Sequence, residues 1–404
     1  MVCAHRQRGQ IAPVALIGVL IASAALVLFF NTAQQVTERS QLVNAADAAA
    51  YSGAVWTARH LNFMAYTNRA MVANHAAVGH LVSYVSWVRY VHDSIDYVDR
   101  VTQWLPAVAP YIDAAERVAE QVRYLAEQSA EIAIPAIDAW NATFRAAQAE
   151  AQASLALNNL TELMQATAAS YDSAIRLNDR GELGRMPQEL RTLLEAQLLP
   201  QLAQVPTFVQ RYTASDDHNS VNELIDASLR ADQHLARWIP GERGWQESGI
   251  LFRLRKLGAT AHHQDSDGAD WQASDQLEYR TRRLLGWSRW RRLGPHISTA
   301  SAREFEPDYA GVPAYYNVAG APGQHSLQLI ALATKRQTQV ATADLLGLSP
   351  SGLPLSAVAV ARVEFKRPRG EHFPALAPEH EELANLFNPF WEARLAPASF
   401  GGAL

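Results

Sequence analysis

The chain has 404 residues, a hydrophobic fraction of 49%, ten tryptophans and a net charge of −5. This length allows two or three domains with sizeable cores, and the composition excludes a wholly disordered protein. Residues 1–240 carry 17 Arg and no Lys against 23 acidic residues, whereas residues 241–404 carry 18 basic against 17 acidic residues. Neither part is basic enough to make nucleic acid the main partner, so no nucleic-acid binding is expected.

An uncharged run of 20 residues, Ile11–Phe30, lies near the N-terminus. As a helix rising about 1.5 Å per residue it would span about 30 Å, the thickness of a membrane hydrocarbon core. Arg6 and Arg8 precede the run, whereas the first charges after it are Glu38 and Arg39. The positive-inside rule therefore predicts a single-pass protein of the inner (cytoplasmic) membrane. Its N-terminus would be cytoplasmic and its bulk periplasmic or extracellular.

A cleaved secretory signal is the alternative interpretation of this run. Such a signal has an apolar region of about 7–15 residues and then a polar region with small residues. Ala22, Ala24 and Ala25 are small, but the apolar residues 26–30 follow them directly. The pattern therefore favours a retained anchor. The only cysteine, Cys3, precedes it, so no intrachain disulfide can form.

Five segments together resemble a known family. They are a basic leader (residues 6–10), an apolar helix, the stretch Asn-Ala-Ala-Asp-Ala-Ala-Ala at residues 44–50, and the segments 63–71 and 386–395. The set resembles the TadE/TadG-like family of tight-adherence (Flp-type) pilus assembly proteins. The resemblance implies a role in building or supporting a pilus, with pilins or other pilus assembly proteins as partners.

One position departs from the pattern of pilins processed by prepilin peptidase. Such substrates often carry a Glu at the fifth residue of the mature helix. Counted from Gln10, that residue here is Val14. The resemblance therefore favours an anchored accessory protein over a processed minor pilin.

The middle of the chain has helical periodicity. Apolar residues recur every three or four positions from about residue 31 to 100, and further helices are predicted at 111–134, 136–178, 187–199 and 220–238. After Gly241 the period changes to two, as in Phe252 and Leu254 between arginines, and Leu327–Ala333 resembles a buried strand. We therefore predict an α+β protein with a leader (1–9), a transmembrane helix (10–30), a helical stalk (31–240) and a mostly antiparallel head (241–404).

No motif for catalysis is present. The four histidines of residues 60–92 include no i,i+4 pair, and Ala384 replaces the second histidine of a zinc-protease motif that would begin at His380. We therefore predict no enzyme activity, no catalytic residue and no cofactor. Asp265, Asp267 and Asp270 are weak candidates for a hard-cation site, because their spacing does not fit an EF-hand. A solvated loop between two strands is the favoured interpretation of this segment.

An arginine–tryptophan strip, residues 280–292, is the strongest local charge signal. It could dock a protein or lipid headgroups. The favoured interpretation is the outer face of a sheet, with Glu278, Glu364 and Glu392 paired to its arginines across strands. The strip contains Arg280, Arg282, Arg283, Trp287, Arg289, Trp290, Arg291 and Arg292.

Small residues line one side of the predicted membrane helix. Ala15, Gly18, Ala22 and Ala25 are separated by three, four and three residues, which places them along one side of the helix. Helices in lipid associate through close backbone approach, which small residues permit, so these four form a candidate packing seam. The alternative is that they only reflect the high alanine content of the chain.

Two functions are compatible with these features. The first is a membrane-anchored structural or assembly component of a Tad pilus. The second is an envelope binding module unrelated to pili, which would dock through the arginine–tryptophan strip.

Overall fold

The computed structural model describes residues 11–102, 109–155, 157–213, 221–225, 228, 243–265, 268–283, 286–293, 297–312, 318, 325–336, 354–367 and 383–397. Its helices are α1 (Ile11–Thr102), α2 (Ala109–Ser154), α3 (Leu157–Ala169), α4 (Arg180–Leu183), α5 (Gln188–Thr213) and α6 (Ala302–Phe305). Residues 221–225 are also helical. The predicted boundary at Pro240–Gly241 lies outside the described residues.

The strands form two antiparallel sheets. Sheet A has the order β1 (Arg176–Leu177), β8 (Ser326–Lys335), β9 (Leu355–Phe365) and β10 (Trp391–Ala396). Sheet B begins with the order β2 (Trp245–Ser248), β3 (Phe252–Asp265) and β4 (Gly268–Arg283). The free edge of β4 pairs with three short strands, β5 (Gly286–Trp287), β6 (Arg291–Arg292) and β7 (Ser298–Ser301). Helices and antiparallel sheets in one chain confirm the predicted α+β class.

Helix α1 is the centre of the fold. It is 92 residues long, about 140 Å at the usual helical rise. Its first part is exposed, whereas from Leu42 onwards it buries alanine, valine, leucine and methionine side chains. These side chains belong to one hydrophobic cluster that also contains residues of α2, α3, α5 and both sheets. The helical region and the strands are therefore in direct contact along α1.

Sheet A is covered on both faces. One face contacts α1 through Ala361, Val363 and other residues of the main cluster. On the other face, Ile330, Leu332 and Val360 pack against residues at and just after α4 in a second cluster. This burial on both sides explains why β8 has a nearly continuous apolar sequence, as predicted for residues 327–333.

Sheet B contacts α1 with one face. Trp271, Ala273 and Asp275 of β4 are buried against the helix and alternate with exposed residues such as Gln272 and Ser274. A Cβ on Gly79 would lie 2.9 Å from the Trp271 ring, so α1 needs a glycine where this indole crosses it. β4 therefore has one covered face over residues 271–275. The covered face predicted at Phe252 and Leu254 of β3 is not found, because Phe252 is exposed and Leu254 is only half-buried.

Several predicted helix boundaries are wrong. The helix predicted at 136–178 is divided between α2 and α3 and ends at Ala169, and the helix predicted at 187–199 continues to Thr213. Proline usually ends a helix, which suggested a break at Pro135, but α2 continues through this residue. Ala130 and Ile134, directly before it, are fully buried in the main cluster. Ile137, just after the proline, packs against the same cluster. Packing on both sides of the proline thus holds the helix together where local preference predicts an end.

Candidate functional site

The apolar segment at the start of α1 lies outside the folded core. Val14, Leu26 and Phe29 expose 69%, 69% and 76% of their surface. Among the described residues, this is the one helix long and apolar enough to cross a membrane. A helix that exposes apolar side chains over this length is of the kind that lies in the hydrocarbon core of a membrane.

The candidate packing seam of Ala15, Gly18, Ala22 and Ala25 lies in this exposed segment. No heavy atom of another part of the described chain comes within 4 Å of a Cβ built on Gly18. A second stripe of small residues, Ala45, Ala49 and Gly53, is instead used within the chain. A Cβ at Gly53 would lie 3.0 Å from Met164 Sδ. The second stripe is therefore packed against α3 within the described chain. The packing seam contacts no other part of it at Gly18, and its role stays a prediction.

Two segments from opposite ends of the chain meet in one hydrogen-bonded junction. The Asn62 side chain donates to the carbonyl of Trp391 (2.8 Å) and accepts from its N–H (2.9 Å). Asn68 donates to the carbonyl of Leu386 (2.7 Å), and Arg69 donates to the carbonyl of Phe387 (2.5 Å). These are residues of, or next to, two of the segments that carried the family resemblance. The junction fastens β10 and the segment before it to the middle of α1.

Gln148 of α2 completes this junction. Its amide donates to Thr67 Oγ1 (2.6 Å) and Asn68 Oδ1 (2.7 Å). Asn68 is therefore a hydrogen-bonded core residue, as its position among apolar neighbours suggested.

His75 lies in a second buried polar cluster, where α1 meets sheet B. Its Nδ1 is 2.6 Å from Tyr309 Oη, and its ring stacks on Tyr309 and lies beside His262 and Trp271. Burial, with a smaller contribution from His262, lowers the pKa of His75 well below the usual value of 6.5. Burial also raises the pKa of Tyr309, as do the carboxylates of Asp138 and Asp270. The pair is therefore neutral and structural at neutral pH.

A buried ion cluster lies further along α1. The Asp275 carboxylate, fully buried, accepts hydrogen bonds from Lys256 (2.5 Å), Arg243 (2.8 Å) and Ser86 of α1 (2.7 Å). Asp275 pairs across the strands with Gly258, where a Cβ would lie only 2.2 Å from its Oδ1. This cluster was not predicted.

Lysine is rare in this chain, and most of its lysines are buried in ion pairs. The chain has three lysines, Lys256, Lys335 and Lys366, among 35 basic residues. Two of them are buried: Lys256 in this cluster, and Lys335 between Glu38 of α1 and Asp172 (2.6 Å to the latter).

The arginine–tryptophan strip forms a ladder on sheet B. Arg280 lies 5.4 Å from the Trp287 ring centre and 4.6 Å from that of Trp290. Arg253 and Arg255 of β3 lie 4.4 Å from Trp287 and 4.3 Å from Trp290, respectively. Each indole thus has two guanidinium groups against it, an arrangement of cation–π contacts.

The predicted carboxylate partners of the strip are mostly elsewhere. Glu278 forms an ion pair with Arg255 (2.6 Å), and Glu364 and Glu392 both pair with Arg394 in sheet A. Within the described part of the chain, no carboxylate forms an ion pair with the five exposed arginines of the strip. These are Arg282, Arg283, Arg289, Arg291 and Arg292.

The segment proposed as a weak metal site is strand rather than a long loop. β3 extends to Asp265 and β4 begins at Gly268, so the connection is shorter than predicted. Asp270 accepts hydrogen bonds from Gln272 (2.9 Å) and the Arg303 N–H (3.3 Å). Asp267 and the side chain of Asp265 lie outside the described residues. Among the residues described, no group of three potential ligands is placed to hold a metal ion.

A family comparison identifies the N-terminal part of the chain. Residues 9–56 match the model of the family described as putative Flp pilus-assembly TadE/G-like. No curated protein and no solved structure matches the chain. The match begins at the end of the basic leader and covers the exposed apolar segment and the alanine-rich stretch where α1 enters the core. The segment 9–56 is thus TadE/G-like, which confirms the family suggested by the sequence.

Proposed function

We propose that the chain is a membrane-anchored structural or assembly component of a Tad (Flp) pilus. Residues 11–30 cross the inner membrane with the N-terminus in the cytoplasm, and the folded part acts outside through protein–protein contacts. The family match and the apolar anchor support this role. The positive charge of Arg6 and Arg8 before the anchor supports the orientation.

One observation carries the proposal: α1 runs unbroken from the exposed apolar segment into the buried core. A flexible linker would let the folded part move freely above the membrane. A continuous helix instead fixes its position relative to the bilayer. The Lys335 ammonium binds Glu38, the first acidic residue after the apolar segment, and fastens sheet A to α1 at this point. Such a rigid support suits an assembly role.

Reporter fusions test the orientation. A reporter that is active only outside the cytoplasm, fused after Leu404, is expected to be active, and one that is active only inside is expected to be silent. The opposite pattern would overturn the localisation and the pilus role with it.

The seam on the anchor is the proposed contact with a pilin-like partner or a second copy. Gly18→Leu with Ala22→Leu adds hydrophobicity, so the protein should still insert, but bulky side chains would prevent close helix approach. We expect cross-linking in the membrane to be lost. Ala24→Leu, on the opposite side of the helix, is the matched control. Cross-linking that survives the double substitution at normal protein levels would show that the anchor only tethers.

We further propose that the chain catalyses no reaction. Replacing His262, His263, Asp265 and Asp267 together by Ala should leave pilus formation largely intact. Loss of pili with a folded protein in the membrane would instead revive a metal-dependent role for this hairpin.

The alternative, an envelope binding module unrelated to pili, is supported by the unpaired charge of the arginine–tryptophan strip. Deletion of the gene distinguishes the two roles. Normal pili in the deletion strain would favour the binding module.

A further inference from the structure

The hairpin between β2 and β3 carries an apolar tip, defined by Ile250, Leu251 and Phe252. These side chains expose 81%, 71% and 54% of their surface. The Gly249 N–H donates to the carbonyl of Phe252 (2.8 Å), which closes the turn and presents the three residues together. Three neighbouring apolar side chains at a turn are a costly exposure in water, and they form a feature that the fold itself does not use.

The apolar tip adjoins the arginine–tryptophan strip. The Arg282 N–H donates to the carbonyl of Leu251 (2.8 Å), and Phe252 pairs with Thr281 across the strands. Of the five exposed arginines of the strip, Arg282 and Arg283 end β4 beside the tip. Arg291 and Arg292 form β6, which pairs with β4 a few residues further along, and Arg289 lies between β5 and β6. The cation–π ladder of Trp287 and Trp290 holds this end of sheet B together.

We propose that the apolar tip and the strip together dock on an anionic phospholipid surface. Apolar side chains at a hairpin tip can enter the acyl boundary, while arginines around them bind lipid phosphates and tryptophans lie at the headgroup level. Each Arg or Lys near such a surface strengthens the attraction. Base stacking on the indoles is disfavoured because guanidinium groups already lie against both rings.

The target is a bilayer other than the one that holds the anchor. Sheet B contacts α1 at Gly79 and Ser86. Ser86 follows Phe30 by 56 positions in the same helix, a contour of about 84 Å at the usual rise. The tip is thus carried far from the anchor, where it can meet a second membrane.

A vesicle-capture experiment tests this docking. The full-length protein is inserted through its anchor into nanodiscs of phosphatidylcholine and mixed with separate vesicles. The vesicles contain phosphatidylcholine alone or equal parts of phosphatidylcholine and phosphatidylglycerol. Co-flotation should occur with the anionic vesicles and should weaken as salt is raised, because the attraction is screened.

Two variants separate the apolar and the basic contributions. Ile250→Ser, Leu251→Ser and Phe252→Ser combined should reduce capture by about tenfold or more, since the inserted apolar area is lost. Arg289→Ala, Arg291→Ala and Arg292→Ala combined should reduce it by a similar factor. Matched controls are Val118→Ser, Leu125→Ser and Ile132→Ser on α2, and Arg117→Ala, Arg176→Ala and Arg185→Ala, all at exposed positions.

Three outcomes would overturn the proposal. The first is equal capture of neutral and anionic vesicles, and the second is unchanged capture by both variants. The third is pairing of nanodiscs with one another in the absence of vesicles, if that pairing depends on the strip. Such pairing would show that the surface binds a second copy of the protein. The assay contains no pilus component. Its result is therefore independent of the pilus role.

Discussion

Sheet A and sheet B are both antiparallel and both pack on α1, but in the part of the chain that the structure describes, only sheet A has helical residues packed on its second face. The second face of sheet A meets Leu183 and Met186, whereas sheet B presents arginines and tryptophans there. Sheet A also binds the middle of α1 through the backbone carbonyl of Trp391. The difference separates two tasks: sheet A stabilises the fold, and sheet B displays a charged surface.

The largest effect is expected in sheet A, at Trp391. This side chain is 3% exposed and packs against Phe208, Tyr212 and Phe365. Trp391→Ala should lower the free energy of unfolding by about 3–5 kcal/mol, because it opens a large cavity. Trp245→Ala, at an exposed position on β2, is the control. Equal losses in urea titrations of the detergent-solubilised protein would contradict the division between the sheets.

Sheet B should be nearly as sensitive on its inner face. Asp275→Ala leaves Lys256 and Arg243 buried without their carboxylate, and removing one partner of a buried ion pair costs about 3–5 kcal/mol. Glu392→Ala is the control, because its ion pair with Arg394 is exposed and should contribute less than about 1 kcal/mol. Unfolding midpoints measured by circular dichroism would reveal both changes. A stable Asp275→Ala variant would show that the cluster is not needed to hold sheet B on α1.

Sequence patterns predicted the apolar N-terminal helix and the strands because both depend on short-range order. Twenty uncharged residues suffice to indicate a membrane helix, and alternation over a few residues indicates a strand. The junction of Asn62 and Trp391 joins residues 329 positions apart, and no local pattern carries such information. The cluster around Asp275 depends likewise on a helix and two strands meeting. The contacts of the arginine–tryptophan strip were predicted only in part. The sequence suggested carboxylates as partners of its arginines, whereas Arg280 packs against the rings of Trp287 and Trp290.

A smaller effect is expected from crowding at Gly79. Gly79→Ala would place a methyl group 2.9 Å from the rigid Trp271 ring, and overpacking of this kind costs about 1–3 kcal/mol. Gly18→Ala is the matched control, since no atom of another part of the described chain lies within 4 Å of the new Cβ. Thermal unfolding of the two variants should therefore differ. An unchanged Gly79→Ala midpoint would show that sheet B can shift on α1 at no cost.

The smallest effect is a pH dependence at the same contact. Burial lowers the pKa of His75, so the folded protein keeps this ring neutral where the unfolded chain would bind a proton. The unfolded state then binds more protons below pH 6.5, and stability must fall as pH drops below that value. The slope cannot exceed about 1.4 kcal/mol per pH unit for one proton. His262, Asp138 and Asp270 also face the cluster, so a His75 variant is needed to isolate the contribution of this ring. His75→Gln should be less stable than the wild type at pH 8, because its ring contacts are lost. Between pH 6.5 and 5, however, the free energy of unfolding should fall less steeply in this variant than in the wild type. Parallel curves for the two proteins would place the titrating group elsewhere and leave His75 as a packing residue only.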